Sequence, residues 1–153
     1  MAMSAAYYES IIDFCEAALE QHGDCHLGVG WTKEPETATR RYDIMLGVVR
    51  EPPGEPVELL DFGCGASHLY DHLLKQPPRG IRYSGLDLSD RFLELSRRKH
   101  PAIAYYKVDV LKDASSLPSF DYMVLNGVFT CRRDVPEAAM MEYMAATLKA
   151  CFG

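Results

Sequence analysis

Between residues 5 and 22, Tyr8, Ile11, Ile12, Cys15, Ala18, Leu19 and His22 fall on one face of a 3.6-residue period and predict a first helix. Ser4 is its expected N-cap and Gly23 its stop. A glycine-containing loop covers 24–32, and a second helix is expected from Pro35, a residue that suits a first helical turn. Its apolar stripe is Ala38, Tyr42, Met45 and Val49. The run Glu51-Pro52-Pro53-Gly54-Glu55-Pro56 then breaks any regular element. Residues 1–50 therefore read as an N-terminal helical cap, and 51–153 as the main unit.

Beyond residue 56 the period changes. Short apolar runs at 57–62, 81–86, 103–108 and 122–125 predict four strands. Between them lie a short helix that reaches Leu74 and is stopped by Pro77-Pro78, a helix from the N-cap Ser89 to about His100, and a helical turn within 111–119. A last helix begins near Pro136, with the stripe Met140, Tyr143, Met144, Thr147, Leu148 and Cys151. Strands alternating with helices predict an α/β fold with an open, parallel, Rossmann-like sheet in the order 3-2-1-4. Right-handed crossovers place helices on both of its faces.

Composition narrows the classes. At 153 residues, 48% hydrophobic and 25% charged, the chain is one ordinary globular unit rather than a disordered or collagen-like one. A net charge of −6 is poorly suited to wrapping polyphosphate, so no nucleic-acid partner is expected. Cys15, Cys25, Cys64, Cys131 and Cys151 are odd in number and contain no C-x-x-C, which reads as reduced thiols in a cytoplasmic protein. The first ten residues lack a basic stretch followed by an apolar core, and no run approaches the ~18 apolar residues of a membrane span.

The chemistry concentrates at the strand ends. Asp61-Phe62-Gly63-Cys64-Gly65-Ala66-Ser67 ends one strand and opens a helix, where glycines allow a ligand close to the backbone and the helix start offers free N–H groups. Asp61 beside that turn would repel a dinucleotide pyrophosphate, and His68 stands where the dinucleotide pattern wants glycine. A ligand carrying positive charge suits the position better. Asp87 follows Gly65 at the roughly 20-residue interval typical of an acid that grips ribose hydroxyls. Asp109 ends the third strand and is placed to accept from an adenine amino group; Asn126-Gly127 ends the fourth. Four polar residues in succession at strand carboxyl ends form a site.

This set resembles the class I S-adenosylmethionine-dependent methyltransferases of small bacterial type. The resemblance rests on Asp61-Phe62-Gly63-Cys64-Gly65, Gly85-Leu86-Asp87-Leu88-Ser89, Tyr106-Lys107-Val108-Asp109-Val110 and the stretch from Phe120 to Gly127, and covers about 57–127. Tyr7-Tyr8, His22-Gly23, Gly30-Trp31 and Arg41-Tyr42 are similar, less specifically, to the cap of such enzymes. The resemblance implies that S-adenosylmethionine is the cofactor. Gly63 and Gly65 would line its methionine part, Asp87 and Leu88 its ribose, and Asp109 and Val110 its adenine. Asn126 and Gly127 complete the site, and Arg41 would pair with the cofactor carboxylate. Two departures stand out: Ser67 replaces the family's third glycine, and four strands are present of a seven-stranded sheet ordered 3-2-1-4-5-7-6.

The implied reaction is direct transfer of a methyl group to a small-molecule acceptor. Tyr8, His26 and His68 are candidate bases, and Trp31 either covers the cofactor or packs between cap and sheet. Two other readings compete: a non-catalytic S-adenosylmethionine-binding module needing further strands, and a nicotinamide-dependent oxidoreductase, which Asp61 and His68 disfavour. His22, Cys25 and His26 lack the second half of a zinc site, so no metal is expected. The fourth strand is apolar and has no protective lysine or proline, so a second copy of the chain or a further C-terminal segment is expected to pair with it.

Overall fold

The computed structural model describes residues 5–31 and 34–153, with side chains from Tyr8 onward. The expected N-cap Ser4 and the loop end Thr32 lie outside the described residues. Helix α1 spans Ala5–His22 and α2 Pro35–Gly47; strand β1 spans Val57–Phe62 and is followed by α3, His68–Leu73. Strand β2 is Ile81–Leu86, α4 Asp90–Lys99, β3 Ala104–Tyr106, α5 Val110–Asp113, β4 Tyr122–Leu125 and α6 Glu137–Phe152. The four strands form one parallel sheet in the order β3-β2-β1-β4, as the pattern predicts.

β1 and β2 pair along their full lengths, from Val57 opposite Ile81 to Phe62 opposite Leu86, so both end at the same level. β4 joins the other edge of β1, with Phe62 opposite Leu125. The third strand is shorter than its apolar run. Ile103 turns back to the His100 carbonyl, and only Ala104, Tyr105 and Tyr106 pair with β2.

Strand alternation sorts the core into two layers. Val57, Leu59, Tyr83 and Val124 face Ala38, Tyr42, Leu46 and Val49 from the α2 region, with Leu69 and Leu73 of α3. Leu46 thus joins the expected α2 stripe, while Met45 is only half-buried. On the opposite face, Leu60, Phe62, Leu86 and Val110 meet Met123, Leu125 and the end of α6 at Ala150 and Cys151. A third cluster, Val135, Ala139 and Met140 with Ile11, Phe129 and Tyr143, fastens α1 to α6. In α6, Ala139 takes an inward place that the pattern had given to Leu148, which is 37% exposed.

The proline-rich breaker is also a structural joint. The Glu51 carboxylate accepts from Arg79 Nε and from the Gly80 N–H. The same guanidinium donates to the Leu46 and Val49 carbonyls, at and just beyond the end of α2.

Candidate functional site

The carboxyl ends of β1, β2 and β4 and the segment after β3 open into one cleft of about 590 Å³, with α1 and the loop before α2 on its far side. Trp31, Arg41, Asp61, Gly63, Gly65, Asp87, Leu88, Asp109, Val110, Asn126 and Gly127 all line it. Residues spread over nearly a hundred positions are brought together because parallel strands deliver their last residues to one edge of the sheet.

The turn after β1 is built to stay open. Gly63 has φ +73°, and its N–H donates to the Leu86 carbonyl. A Cβ there would lie 2.8 Å from Val128 Cγ2. Ser67, at the place where the resemblance expects a third glycine, also adopts the left-handed region at φ +60°, ψ +33°. The strain is met by chemistry: its fully buried hydroxyl bonds to Ser96 Oγ at 2.8 Å and Tyr105 Oη at 2.9 Å, and Ser96 Oγ donates to the Gly65 carbonyl. At the neighbouring position in β2, a Cβ on Gly85 would collide with the Tyr105 ring at 2.7 Å.

Asp87 holds this turn from the end of β2. Its Oδ2 accepts from the Gly65 N–H and its Oδ1 from the Ser89 N–H, both at 2.9 Å. Burial raises its carboxyl pKa, and the backbone N–H groups oppose that rise. A carboxylate offers about four acceptor positions, so each oxygen keeps one for a ligand. Asp61 is buried beneath the turn and accepts the Tyr83 hydroxyl at 2.7 Å. Burial drives its carboxyl up to about 7; the Tyr83 hydrogen bond opposes this, and the Asp87 charge adds to it.

Asp109 caps α5 through the Leu111 N–H and receives the Tyr8 hydroxyl from α1 at 3.0 Å, with Lys112 Nζ also 3.0 Å away. Burial would raise this carboxyl, but Lys112, Tyr8 and the Leu111 N–H together hold it below its ordinary range. On the opposite wall the Trp31 ring lies against Gly127, where a Cβ would sit 3.6 Å away. The Arg41 guanidinium stands 4.6 Å from the Trp31 ring centroid. Trp31 packs against the α2 core and also lines the cleft.

Helix α1 bridges the opening. At one end Tyr8 stacks on Tyr143 of α6; further along, Glu16 accepts from Ser89 Oγ and sits 3.8 Å from Arg91 of α4. Its middle presents Ile11, Ile12, Phe14 and Cys15 to the cleft. The sequence pattern had marked Cys15 and its neighbours only as an apolar stripe, and periodicity alone cannot tell a cleft-facing stripe from a core-facing one.

Of the candidate bases, Tyr8 and His68 line the cleft and His26 does not. His68 Nε2 is 2.7 Å from Asp24, which also meets Lys99, so it ties the loop after α1 to α3 and α4. Among the described residues, no group of three or more His, Cys, Asp and Glu side chains is arranged to hold a metal ion, and no helix is long and apolar enough to cross a membrane.

Residues 60–150 match the family described as a methyltransferase domain. A malonyl-[acyl-carrier protein] O-methyltransferase of Halalkalibacterium halodurans is 33% identical over 86 residues, covering 52% of this chain and 31% of that protein. Among solved structures, Streptomyces venezuelae DesVI superposes with a TM-score of 0.54 at 19% identity, over 76% of this chain and 46% of the other. The small RNA methyltransferase HEN1 superposes with a TM-score of 0.56 at 23% identity, over 78% and 16%. Both structures share the fold, and the chain spans less than half the length of each of these relatives.

Proposed function

The chain belongs to the methyltransferase domain family, and from that premise we propose that it binds S-adenosylmethionine in the cleft and passes the methyl group to a small-molecule acceptor. One observation carries the reading: Asp61, Asp87, Asp109 and Asn126 stand at successive strand ends around a turn with two positive-φ glycines, all facing one cleft. The donor set suits a cationic nucleoside. Burial raises the carboxyls of Asp61 and Asp87, so both gain from a nearby positive charge.

Gly63 and Gly65 would lie along the methionine part, Asp87 beside Leu88 would accept the ribose hydroxyls, and Asp109 with Val110 would frame the adenine. Arg41 on its Trp31 support would take the carboxylate. When bound, the cofactor supplies a methyl group already activated by its sulfonium. The chain's work is alignment of the acceptor and exclusion of water, which contributes up to ~7–11 kcal/mol in ideal cases. Residues 1–50 act as the cap that closes the cleft, through α1 and Trp31. Tyr8 or His68 would take the proton of a hydroxyl acceptor. The acidic balance of the chain supports a small acceptor rather than a nucleic acid. The H. halodurans relative, named for a malonyl group on a carrier protein, favours an acceptor of modest size. Five free thiols fit a reducing compartment such as the cytoplasm.

Calorimetry with S-adenosylhomocysteine and with NADH tests the cofactor. The reading expects binding of the first only, and a tenfold or greater weakening in Asp87→Ala, since a charged hydrogen bond is worth roughly 1.5–3 kcal/mol. Binding of NADH alone, or unchanged affinity in a folded Asp87→Ala protein, overturns it. Turnover with a panel of small hydroxyl and amine acceptors then separates transfer from a module that only binds.

A further inference from the structure

The nucleoside contacts proposed above draw on the strand ends and on Arg41. A further part of the cleft lining comes from Ile11, Ile12 and Phe14 of α1, and from Val128, Thr130 and Arg133 after β4. This part is mostly apolar and carries a cation at its exposed rim. The cation is set there by its backbone. The Val135 N–H donates to the Arg132 carbonyl at 2.9 Å and closes a tight turn, and Val135 is buried beside Ala139 and Met140. Within that turn Arg133 has φ +51°, in the left-handed region that a residue with a Cβ seldom takes.

The Arg133 guanidinium lies 4.0 Å from the centroid of the Phe14 ring. A ring attracts the positive charge but brings no acceptor oxygen, so the N–H donors are not matched by it. Its neighbour Arg132 is paired with Glu137 at 3.3 Å. Among the described residues, no carboxylate lies within ion-pair distance of Arg133. A residue held in a sparsely populated conformation at the edge of a cleft, with unmatched donors, points to a ligand. Arg41 on Trp31 has the same build, 4.6 Å from its ring centroid, and the reading above gives it the one carboxylate of the cofactor. A second guanidinium supported on a ring is left for a second anion.

Building on the methyltransferase reading, we propose that the acceptor carries a carboxylate, that Arg133 grips it, and that the acceptor's apolar body lies along Ile11, Ile12 and Phe14. A guanidinium fork matches a carboxylate with two parallel hydrogen bonds. A doubly charged phosphate ester suits the place less well: it would meet this guanidinium in a cleft also lined by Asp61, Asp87 and Asp109, on a chain of net charge −6. The same acids repel the acceptor's carboxylate from the strand ends and leave it at the rim.

Saturation-transfer NMR titrations of benzoate, benzamide and phenyl phosphate test this on the full chain saturated with S-adenosylhomocysteine. Benzoate is expected to bind about tenfold or more tightly than benzamide, and at least as tightly as phenyl phosphate. Arg133→Gln should erase the preference for benzoate over benzamide, and Arg133→Lys should restore part of it. Arg41→Gln should keep the preference and weaken S-adenosylhomocysteine instead. Equal binding of benzoate and benzamide to the unaltered protein, binding of neither included, would overturn the proposal. So would a preference that survives in Arg133→Gln, or a loss of S-adenosylhomocysteine affinity in that variant, which would move Arg133 to the cofactor. Tighter binding of phenyl phosphate would overturn the carboxylate. If the unaltered protein does not bind S-adenosylhomocysteine, the cofactor reading falls, and the benzoate comparison on the unloaded protein still decides what Arg133 grips.

Discussion

Replacing Asp61 by asparagine should change the pH dependence of stability in a calculable way. In the native protein this carboxyl sits at about 7, against an ordinary 3.8 in the unfolded chain. Below about pH 4 both states hold the proton and the group is neutral. As pH rises from there, the unfolded chain releases its proton while the native one retains it, so stability falls. Above about 7 the native group is ionised too, and the full difference is present. At about 1.36 kcal/mol per unit of pKa, that difference is about 4 kcal/mol. An asparagine can still accept the Tyr83 hydroxyl and never ionises. The Asp61→Asn protein should therefore gain on the wild type progressively between pH 4 and 7 and level off above. Asp24 and Asp109, which hydrogen bonds hold below the ordinary range against burial, act in the opposite sense and lose their contribution as pH falls. They are present in both proteins and drop out of the comparison. Urea unfolding at a series of pH values, extrapolated to water, measures the gap. A stability difference that stays constant across the series would refute the reasoning.

Three further outcomes follow from the turn and the sheet edge. Gly63→Ala should lose more than about 1 kcal/mol in thermal unfolding, because the positive φ penalises any side chain; adding Val128→Ala should recover only the steric part, and full recovery would contradict the backbone argument. Ser67→Ala should cost about 1–3 kcal/mol by leaving buried hydroxyls unmatched, and Ser67→Gly should cost less because it relieves the left-handed strain; equal losses would show that the strain is negligible. Among the described residues β4 pairs only with β1, and Met141 and Phe152 on α6 are 54% and 67% exposed, so light scattering over a concentration series should show association at this edge. A monomer at every concentration, with fast exchange at residues 122–125, would rule that out.

The strands and the acids at their ends were legible because both depend on local signals: a short apolar run stopped by Gly, Asp or Asn. β1, β2, β4 and α1 fall where the pattern puts them. The apolar run at 103–108 overstates β3, since Val108 is as apolar as Tyr106 but lies past the sheet and lines the cleft. The partners of the acids were not legible. That Asp87 holds the Gly65 N–H, or that Tyr8 reaches Asp109, follows from how α1 crosses the sheet, and nothing in the spacing of residues 8 and 109 announces it. Ser67 could be noticed only as a departure. Its reason lies in Ser96 and Tyr105, contributed by α4 and β3.

The placement of Trp31 has a spectroscopic consequence. It is the chain's single tryptophan, and it stands half-buried in the cleft wall between Arg41 and Gly127. Its indole emission is therefore a label already installed at the site, with no second indole to dilute the signal. A molecule that enters the cleft strips water from that ring, shifting its emission to the blue and shielding it from iodide quenching. Occupancy can be followed by light on the unmodified protein, in stopped flow as readily as at equilibrium.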